Sequence, residues 1–342
     1  GDRRPVTMDD YTELFGDFKE KLGIPSIAIG SKGRSNQLMF PYGIMIGFFV
    51  KEDGSIGYGM YEDGYRDYLA QMAEWYEKGY IHPDFTGDIE PRVLLGNEEL
   101  AIVITAGDVM YAEAKLSGYD IEMLNYPRLE EGQTIPFEIT FEEEIPADSR
   151  AYVITTDCDN VDLAMQFMNY GYTQEGADLF NWGIEGVSYT VNEDGEKEFT
   201  DILLDNPDGI PISDAMYIWK IHLAPKHAEP DVVCNPATIG DPVSLAQRLQ
   251  FSDDPTVNSD GILVASLSPE QESTRAQIMT DVNTYVDIMT MQFILGETDI
   301  NDDDEWATYK QTLEDLQILE AIEITQEAQD AFESKEIPEE FR

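Results

Sequence analysis

Short apolar runs that alternate with amphipathic helical patterns constrain the fold of this chain more than any other feature of its sequence. Residues 24–29 have a strand pattern, and residues 100–105 form a continuous apolar run typical of strands covered on both faces. Helical patterns lie between and after them, including one over residues 161–170. Thr7 is placed to cap the first helix and Gly23 to end it. This alternation predicts the α/β class.

The C-terminal part of the chain carries further helix signals. Ser268 supplies an N-cap and Gln271 its capping-box partner, so a long helix is predicted to run from there to the residue before Gly296. The amphipathic pattern of residues 306–319 predicts another helix. We expect Thr325 to cap a last, short helix.

The length of 342 residues predicts two globular units, at roughly 100 to 200 residues per domain. Residues 130–148 are rich in carboxylates and contain Pro136 and Pro146, as is typical of a connection between units. We therefore place a boundary near Ala147. Residues 181–261 are rich in Gly, Pro, Asn and Asp, which predicts a loop-rich region.

The charge balance narrows the class of partner. The chain has 69 Asp and Glu against 21 Lys and Arg, a formal net charge of −48, yet 42% of its residues are hydrophobic and can build a core. Binding to nucleic acid depends on Lys and Arg that displace counterions, so nucleic acid and anionic lipid are poor partners for this chain. No apolar run reaches the roughly 18 residues that a membrane-spanning helix requires.

Metal motifs fail when their spacing is checked. Asp157, Asp159 and Asp162 resemble the opening of a calcium loop, but Asp162 stands where that loop requires glycine. His222 and His227 do not share a helical face, and no cysteine lies nearby to complete a zinc set. The sequence therefore predicts no metal and no cofactor.

Catalytic motifs are also missing from the sequence. No G-x-S-x-G, P-loop or dinucleotide-binding glycine signature is present. Among 69 carboxylates, a pair chosen by eye carries almost no information about acid and base catalysis. We predict no catalytic residue. A polysaccharide-active glycoside hydrolase or lyase, or a cell-surface protein that binds no solute, stays open as an alternative.

Aromatic residues outside the helical stripes point to a carbohydrate ligand. Flat aromatic rings stack on the apolar C–H faces of sugars while acids, amides and Arg bond the hydroxyls. Ordinary core packing is the competing interpretation for each of them. The residues in loops or at the ends of elements are Phe40, Tyr42, Phe48, Tyr111, Trp182, Tyr189, Tyr217 and Trp219.

Several long segments resemble extracellular solute-binding proteins of bacterial ABC importers, especially the lipoprotein type of Gram-positive bacteria. Residues 54–85 read GSIGYGMYEDGYRDYLAQMAEWYEKGYIHPDF, with the Trp-Tyr pair and the closing P-D-F of that family. Residues 161–195 read VDLAMQFMNYGYTQEGADLFNWGIEGVSYTVNEDG and are similar to its helix pair followed by Y-G-I-E-G. Together with residues 306–332, these segments occur in the family's order and cover nearly the whole chain.

The resemblance implies a periplasmic-binding-protein-like type II fold, in which two α/β lobes close on a solute like a hinge. One lobe would comprise residues 1–146 and 270–342, and residues 147–269 would form the loop-rich remainder of the other. Relatives begin with roughly a hundred further residues, about one domain's worth, so we expect the first lobe to be incomplete here. Many relatives also have a calcium loop after the first helix. In this chain residues 21–24 connect directly, so no metal is expected there.

The resemblance also implies the function. It predicts an extracytoplasmic component of an ABC importer that binds a carbohydrate, an oligosaccharide, between its lobes without catalysis. The expected partners are the permease subunits, and the expected state is a monomer. The location would be extracellular, attached to the cell surface as a Gram-positive-type lipoprotein through an anchor outside this chain. The identity of the solute and the pairing of Cys158 with Cys234 stay open.

Carried over by position, the resemblance predicts six ligand contacts. Four aromatic residues would stack on sugar faces, and two polar residues would bond the hydroxyls. The stacking residues are Tyr42, Tyr111, Trp182 and Trp219, and the polar ones are Asp108 and Arg275.

Overall fold

A computed structural model gives the arrangement of most of the chain. The chain divides into two compact units, and the predicted boundary near Ala147 lies outside the described residues. The first unit comprises residues 1–104, 124–140 and 254–342, and the second comprises residues 105–123 and 141–253. The described residues are 4–29, 31–86, 94, 97–104, 122, 124–137, 153–193, 195–210, 212–219, 227, 256–263, 265 and 267–334.

The described helices and strands follow one another in a mixed α and β order. In chain order they are α1 (Met8–Leu22), α2 (Asn36–Met39), β1 (Phe48–Val50), β2 (Ile56–Tyr58), α3 (Asp63–Glu77), α4 (Val161–Tyr170), α5 (Gln174–Asn181), β3 (Tyr189–Val191), β4 (Lys197–Phe199), α6 (Asp201–Leu204), α7 (Ile212–Trp219), α8 (Pro269–Leu295), α9 (Asp303–Asp315) and α10 (Ile318–Glu333). Short 3₁₀ turns cover Ser31–Gly33, Phe40–Tyr42 and Gly59–Tyr61.

Local capping chemistry sets the ends of α1 as predicted. The Asp10 backbone N–H donates to Thr7 Oγ1 at 3.2 Å, and the Thr7 N–H donates to the Asp10 carboxylate at 2.9 Å. This reciprocal pair satisfies two amides that the helix itself leaves unbonded. Gly23 ends the helix in the left-handed conformation, with φ of 74°.

The same signals set the longest helix, α8, which spans 27 residues. Ser268 and Gln271 form the predicted capping box, and Gly296 ends the helix with φ of 73°. The start predicted at Thr325 is wrong, because Thr325 lies buried inside α10 and donates its hydroxyl to the Ala321 carbonyl at 2.8 Å. A hydroxyl satisfied within its own helix gives no cap.

The apolar runs predicted as strands form a small parallel arrangement. Ile27 makes parallel bridges to Ile81 on one side and to Ile102 on the other. The His82 N–H donates to the Ile27 carbonyl at 2.8 Å, and the Ile102 N–H donates to the Ser26 carbonyl at 2.7 Å. The parallel pairing agrees with the predicted α/β class, although each segment pairs over single residues.

Three helices hold the core of the first unit together. The Phe15 ring of α1 meets the Trp75 ring of α3 edge to face at 4.7 Å, and Trp75 Nε1 donates to Thr12 Oγ1 at 2.9 Å. Helix α3 packs on α8, where the Tyr65 and Thr290 hydroxyls are 2.6 Å apart and both residues are fully buried. A buried hydroxyl pair of this kind fixes the register of the two helices.

The second unit contains smaller packed clusters. Strands β3 and β4 pair antiparallel, with Tyr189 opposite Phe199. The Trp182 ring stacks on the Phe199 ring with 4.6 Å between centroids, and Leu203 of α6 packs with Met216 of α7. Among the described helices of both units, none is long and apolar enough to cross a membrane.

Candidate functional site

A groove of about 470 Å³ lies on the first unit between the Ser31–Gly33 turn, the β1–β2 hairpin and α8. We call it the α8 groove. Six residues of α8 line it at intervals of one, three or four positions, and this spacing puts them on one helical face. They are Glu272, Arg275, Ala276, Met279, Asn283 and Asp287.

One carboxylate organises the inner end of the α8 groove. Asp287 forms ion pairs with both Lys32 and Arg34, which lie at the 3₁₀ turn more than 250 positions earlier in the chain. The side chains of Arg34 and Asp287 are only 11% and 16% exposed, whereas that of Lys32 is 51% exposed. The pair therefore joins the turn to α8, with Lys32 at the solvent side.

Arg275 lies at the other end of the groove against an aromatic ring. Its guanidinium carbon is 5.2 Å from the centroid of Phe48, and its Nη2 donates to Glu272 Oε2 at 2.9 Å. A guanidinium held against a ring face keeps its plane fixed. Arg275 was predicted from the sequence to bond a ligand, and the structure puts it in the lining of this groove.

The rest of the lining contains both polar and apolar groups. The Tyr58 hydroxyl donates to Asn283 Oδ1 at 3.0 Å, and burial raises the pKa of Tyr58 well above its ordinary value. Ile46 and Met279 add apolar surface. The groove thus offers N–H donors beside apolar faces, the combination that binding sites for sugars use.

Tyr42 lines a different depression on the first unit, of about 990 Å³. Its ring meets the Tyr68 ring edge to face at 6.1 Å. Burial, and secondarily the nearby Asp67 carboxylate, raises the pKa of Tyr42. No Lys or Arg occurs in the described lining of this depression, and its acidic members are Asp9, Asp67, Glu74, Glu77 and Asp299. Tyr42 and Arg275 therefore do not share a groove.

The remaining predicted contacts belong to the second unit. Trp182 is 6% exposed and stacks on Phe199, which gives it a place in a packed cluster. Trp219 ends α7, half-buried against the cluster of Leu203 and Met216. Stacking of these indoles on a sugar stays a prediction.

Two further predicted contacts, Asp108 and Tyr111, lie outside the described residues. The calcium-like residues Asp157 and Asp159 are described, and within the described part of the chain no group of three His, Cys, Asp or Glu is arranged to hold a metal ion. Cys158 has a free thiol and Cys234 is not described.

Sequence reasoning missed Lys32, Arg34, Asn283 and Asp287. The helical spacing of α8 could have grouped Arg275 with Asn283 and Asp287. Residues separated by steps of three or four positions lie on the same face of a helix. No sequence pattern near the Ser31–Gly33 turn indicates that it packs on α8, so the local sequence does not mark Lys32 and Arg34 as site residues.

The similarity of this chain to known proteins lies in their solved structures. No protein-family model matches the sequence, and no curated protein matches it significantly. The alginate-binding protein AlgQ2, in a structure without calcium ion, is similar to this chain with a TM-score of 0.72 and 18% identity, over 96% of this chain and 68% of that one. The chain has the fold of an ABC-transporter solute-binding protein.

Two further solved structures are similar to this chain. The substrate-binding protein FusA of Streptococcus pneumoniae, in complex with kestose, has a TM-score of 0.69 and 17% identity, over 98% of this chain and 70% of that one. An HMO-binding solute-binding protein from Bifidobacterium longum infantis has a TM-score of 0.69 and 16% identity, over 97% and 71%. The predicted periplasmic-binding-protein-like fold is confirmed.

Proposed function

We propose that this chain is the extracytoplasmic solute-binding component of an ABC importer and that it binds an oligosaccharide without changing it chemically. The observation that carries the proposal is the likeness of fold over 96 to 98% of the chain to proteins named for binding alginate, kestose and HMO. Fold alone does not define a ligand, so the groups in the α8 groove must also suit a sugar.

The chemistry of the α8 groove supports binding. Arg275 presents N–H donors beside the Phe48 ring, and Ile46 adds apolar surface. Sugar sites combine a few oriented polar groups with apolar faces in this way. We propose Arg275 as a ligand contact, and the other predicted contacts, Tyr42, Asp108, Tyr111, Trp182 and Trp219, remain part of the proposal.

The same groove argues for binding without catalysis. A glycosidase needs one carboxylic acid that can donate a proton and a second carboxylate that acts as base or nucleophile. The carboxylates in the described lining are Glu272 and Asp287, and each is engaged by a cation, Arg275 in one case and Lys32 with Arg34 in the other. The described lining therefore contains no pair of acids that are free of a cation partner.

The partner and location follow from the same proposal. We infer that the chain delivers its ligand to the permease subunits of an importer, works as a monomer, and is extracellular. Attachment to the cell surface would use a lipid anchor outside this chain, of the Gram-positive lipoprotein type. The neighbours named as ABC-transporter substrate-binding proteins support this assignment.

Titration calorimetry against a panel of oligosaccharides tests the proposal. We expect at least one sugar to bind and to be recovered intact by chromatography. Arg275→Gln should weaken that binding about tenfold, the change that about 1.4 kcal/mol produces. Arg66→Gln is the matched control, because Arg66 is not in the groove lining and bonds the Ile300 carbonyl and Asp303.

Two results would overturn the proposal. Consumption of a sugar, at a rate lost when one acid is replaced, would indicate the glycoside hydrolase or lyase. A folded chain that binds no sugar of the panel would indicate a surface protein without a solute.

A further inference from the structure

Basic residues are concentrated in the α8 groove of a chain that otherwise has few. Only 21 of its 342 residues are Lys or Arg, against 69 Asp and Glu. The groove lining nevertheless contains three cations, Lys32, Arg34 and Arg275, and two carboxylates, Glu272 and Asp287. Its formal charge is therefore positive by one, on a molecule with a net charge of −48. Salt screens the distant acids over about 8 Å at physiological ionic strength, so the local balance decides which ligand the groove attracts.

The inner ion pair leaves one positive charge without compensation. Asp287 carries a single negative charge and is shared by Arg34 and Lys32. Arg34 is the more buried of the two cations, so it forms the structural pair that joins the turn to α8. Lys32 extends toward solvent, and its ammonium has three N–H donors, of which Asp287 accepts one.

Arg275 also keeps capacity for an anionic ligand. The Arg275 side chain is 19% exposed and that of its partner Glu272, three positions away on the helix, is 57% exposed, so solvent screens the pair from the Glu272 side. Arg275 Nη1 also donates to Thr325 Oγ1 at 3.5 Å. A guanidinium offers five donors in a planar fork that matches a carboxylate. A ligand carboxylate can therefore bond the remaining donors or replace Glu272.

The backbone holds Lys32 in place at some cost. Lys32 has φ of 64° and ψ of 28°, a left-handed conformation that is unfavourable for a residue with a side chain. The next residue, Gly33, is pressed against α8, because a Cβ atom there would lie 2.7 Å from Ile294 Cδ1. Strain of this kind persists where surrounding packing enforces it, and it occurs often at ligand sites.

We propose that the α8 groove selects oligosaccharides that carry carboxylate groups, with Lys32 and Arg275 as the residues that contact those carboxylates. This inference rests on the proposed function and narrows its ligand class to acidic sugars. Phe48, Ile46 and Met279 provide the apolar surface for the sugar rings, and the two cations at opposite ends of the lining provide the charge selectivity.

Calorimetry with two probes that share one sugar backbone, with the carboxyl groups free in one and methyl-esterified in the other, tests this inference. The probes are trigalacturonate and its methyl ester, measured in about 20 mM and about 200 mM NaCl to vary the screening length. We expect the acid form to bind at least about tenfold more tightly than the ester in low salt, and the difference to shrink in high salt because charge attraction is screened.

Variants separate the groove from general charge effects. Lys32→Gln should weaken binding of the acid form about five- to tenfold and leave the ester within about twofold, since a solvent-side charge is lost. Arg275→Gln should weaken binding of both forms, and that of the acid form more strongly, because Arg275 also donates to the sugar in the proposed function. Glu272→Gln removes the competing carboxylate and should strengthen binding of the acid form. Lys21→Gln is the control, because Lys21 is exposed and is not in the groove lining. Lys32→Arg keeps the charge and should restore binding if Lys32→Gln folds poorly.

Binding of the ester and of neutral sugars separates this inference from the proposed function. If the ester binds as tightly as the acid, or if only neutral sugars of the wider panel bind, the preference for carboxylates is wrong and the proposed function survives. If the folded chain binds neither probe nor any panel sugar, the proposed function fails as well. Equal loss on Lys21→Gln and Lys32→Gln would show that the effect does not come from the groove.

Discussion

At the scale of single residues, Asp287 is the shared counter-charge of two cations, Arg34 and Lys32. It is the counter-charge of Arg34, whose guanidinium lies largely out of solvent. Removing one partner of a buried pair leaves the other charge without compensation, and the cost exceeds the value of the pair itself. Asp287 therefore matters for stability, whereas Lys32, which shares it from the solvent side, is available for a ligand.

We expect Asp287→Asn to lower the free energy of unfolding by about 3 kcal/mol, because Arg34 would stay buried without a counter-charge. Urea unfolding followed by circular dichroism measures this. Asp303→Asn is the matched control, since Asp303 also pairs with an arginine but is 91% exposed, and its loss should be under about 1 kcal/mol. Equal losses in the two variants would contradict this account of the pair.

Buried tyrosines give the fold a dependence on alkaline pH. Burial raises the pKa of Tyr65 to about 12, with the Arg34 charge acting in the opposite direction as a smaller effect. The unfolded chain ionises this phenol near its ordinary value of about 10. The contribution of Tyr65 to stability is therefore complete below pH 10 and is lost as the pH rises toward 12.

Tyr65→Phe tests this linkage by comparison at two pH values. Near neutral pH the free energy of unfolding of the variant should be about 1 kcal/mol lower than that of the wild type, which is the value of the hydrogen bond to Thr290. At about pH 11 the difference should shrink by about 1 kcal/mol or vanish, because the unfolded wild type gains ionisation energy that the variant cannot gain. Guanidinium unfolding measures both values, and a difference that does not change with pH would contradict the assignment.

At the scale of elements, helices with local end signals follow the sequence closely. Helix α1 begins after Thr7 and ends before Gly23, and α4 spans Val161–Tyr170 as predicted. These boundaries depend on side chains within four positions of each helix end, so the sequence contains them. The start of α10 was missed because Gln317, in a left-handed conformation, precedes it without a side-chain cap.

The groove was harder to predict than the helices. The α8 face that carries Arg275 follows from helical spacing, and that residue was predicted as a ligand contact. The pairing of Asp287 with Lys32 spans 255 positions and depends on how the Ser31–Gly33 turn packs on α8. A tertiary contact of this kind leaves no trace in local pattern or composition.

The capping box of α8 provides a prediction at this scale. Ser268→Ala should lower the free energy of unfolding by about 1 kcal/mol, because the Gln271 backbone N–H loses its acceptor, the Ser268 hydroxyl oxygen. Thr280→Ala is the control. Thr280 is exposed in the middle of α8 and its hydroxyl bonds the Ala276 carbonyl within the helix, so its replacement should change stability by less than about 0.5 kcal/mol. Thermal unfolding followed by circular dichroism distinguishes the two, and an equal effect would show that the cap contributes nothing.

At the scale of the whole molecule, fold and charge lead to separate conclusions. The fold is that of ABC-transporter solute-binding proteins, although sequence identity to AlgQ2, FusA and the HMO-binding protein is only 16 to 18%. A shared fold does not define a ligand, so the ligand must be argued from the groove. The net charge of −48 opposes anionic ligands in general, and this makes the cationic α8 groove the feature that sets the proposed ligand class.

The most direct test of the central claim, that the chain holds an oligosaccharide and leaves it intact, is equilibrium dialysis followed by mass spectrometry of the sugar. We expect a saturable excess of at least one oligosaccharide on the protein side, with its mass unchanged after prolonged incubation. Equal concentrations on both sides for every sugar, or a sugar recovered in cleaved form, would contradict the claim.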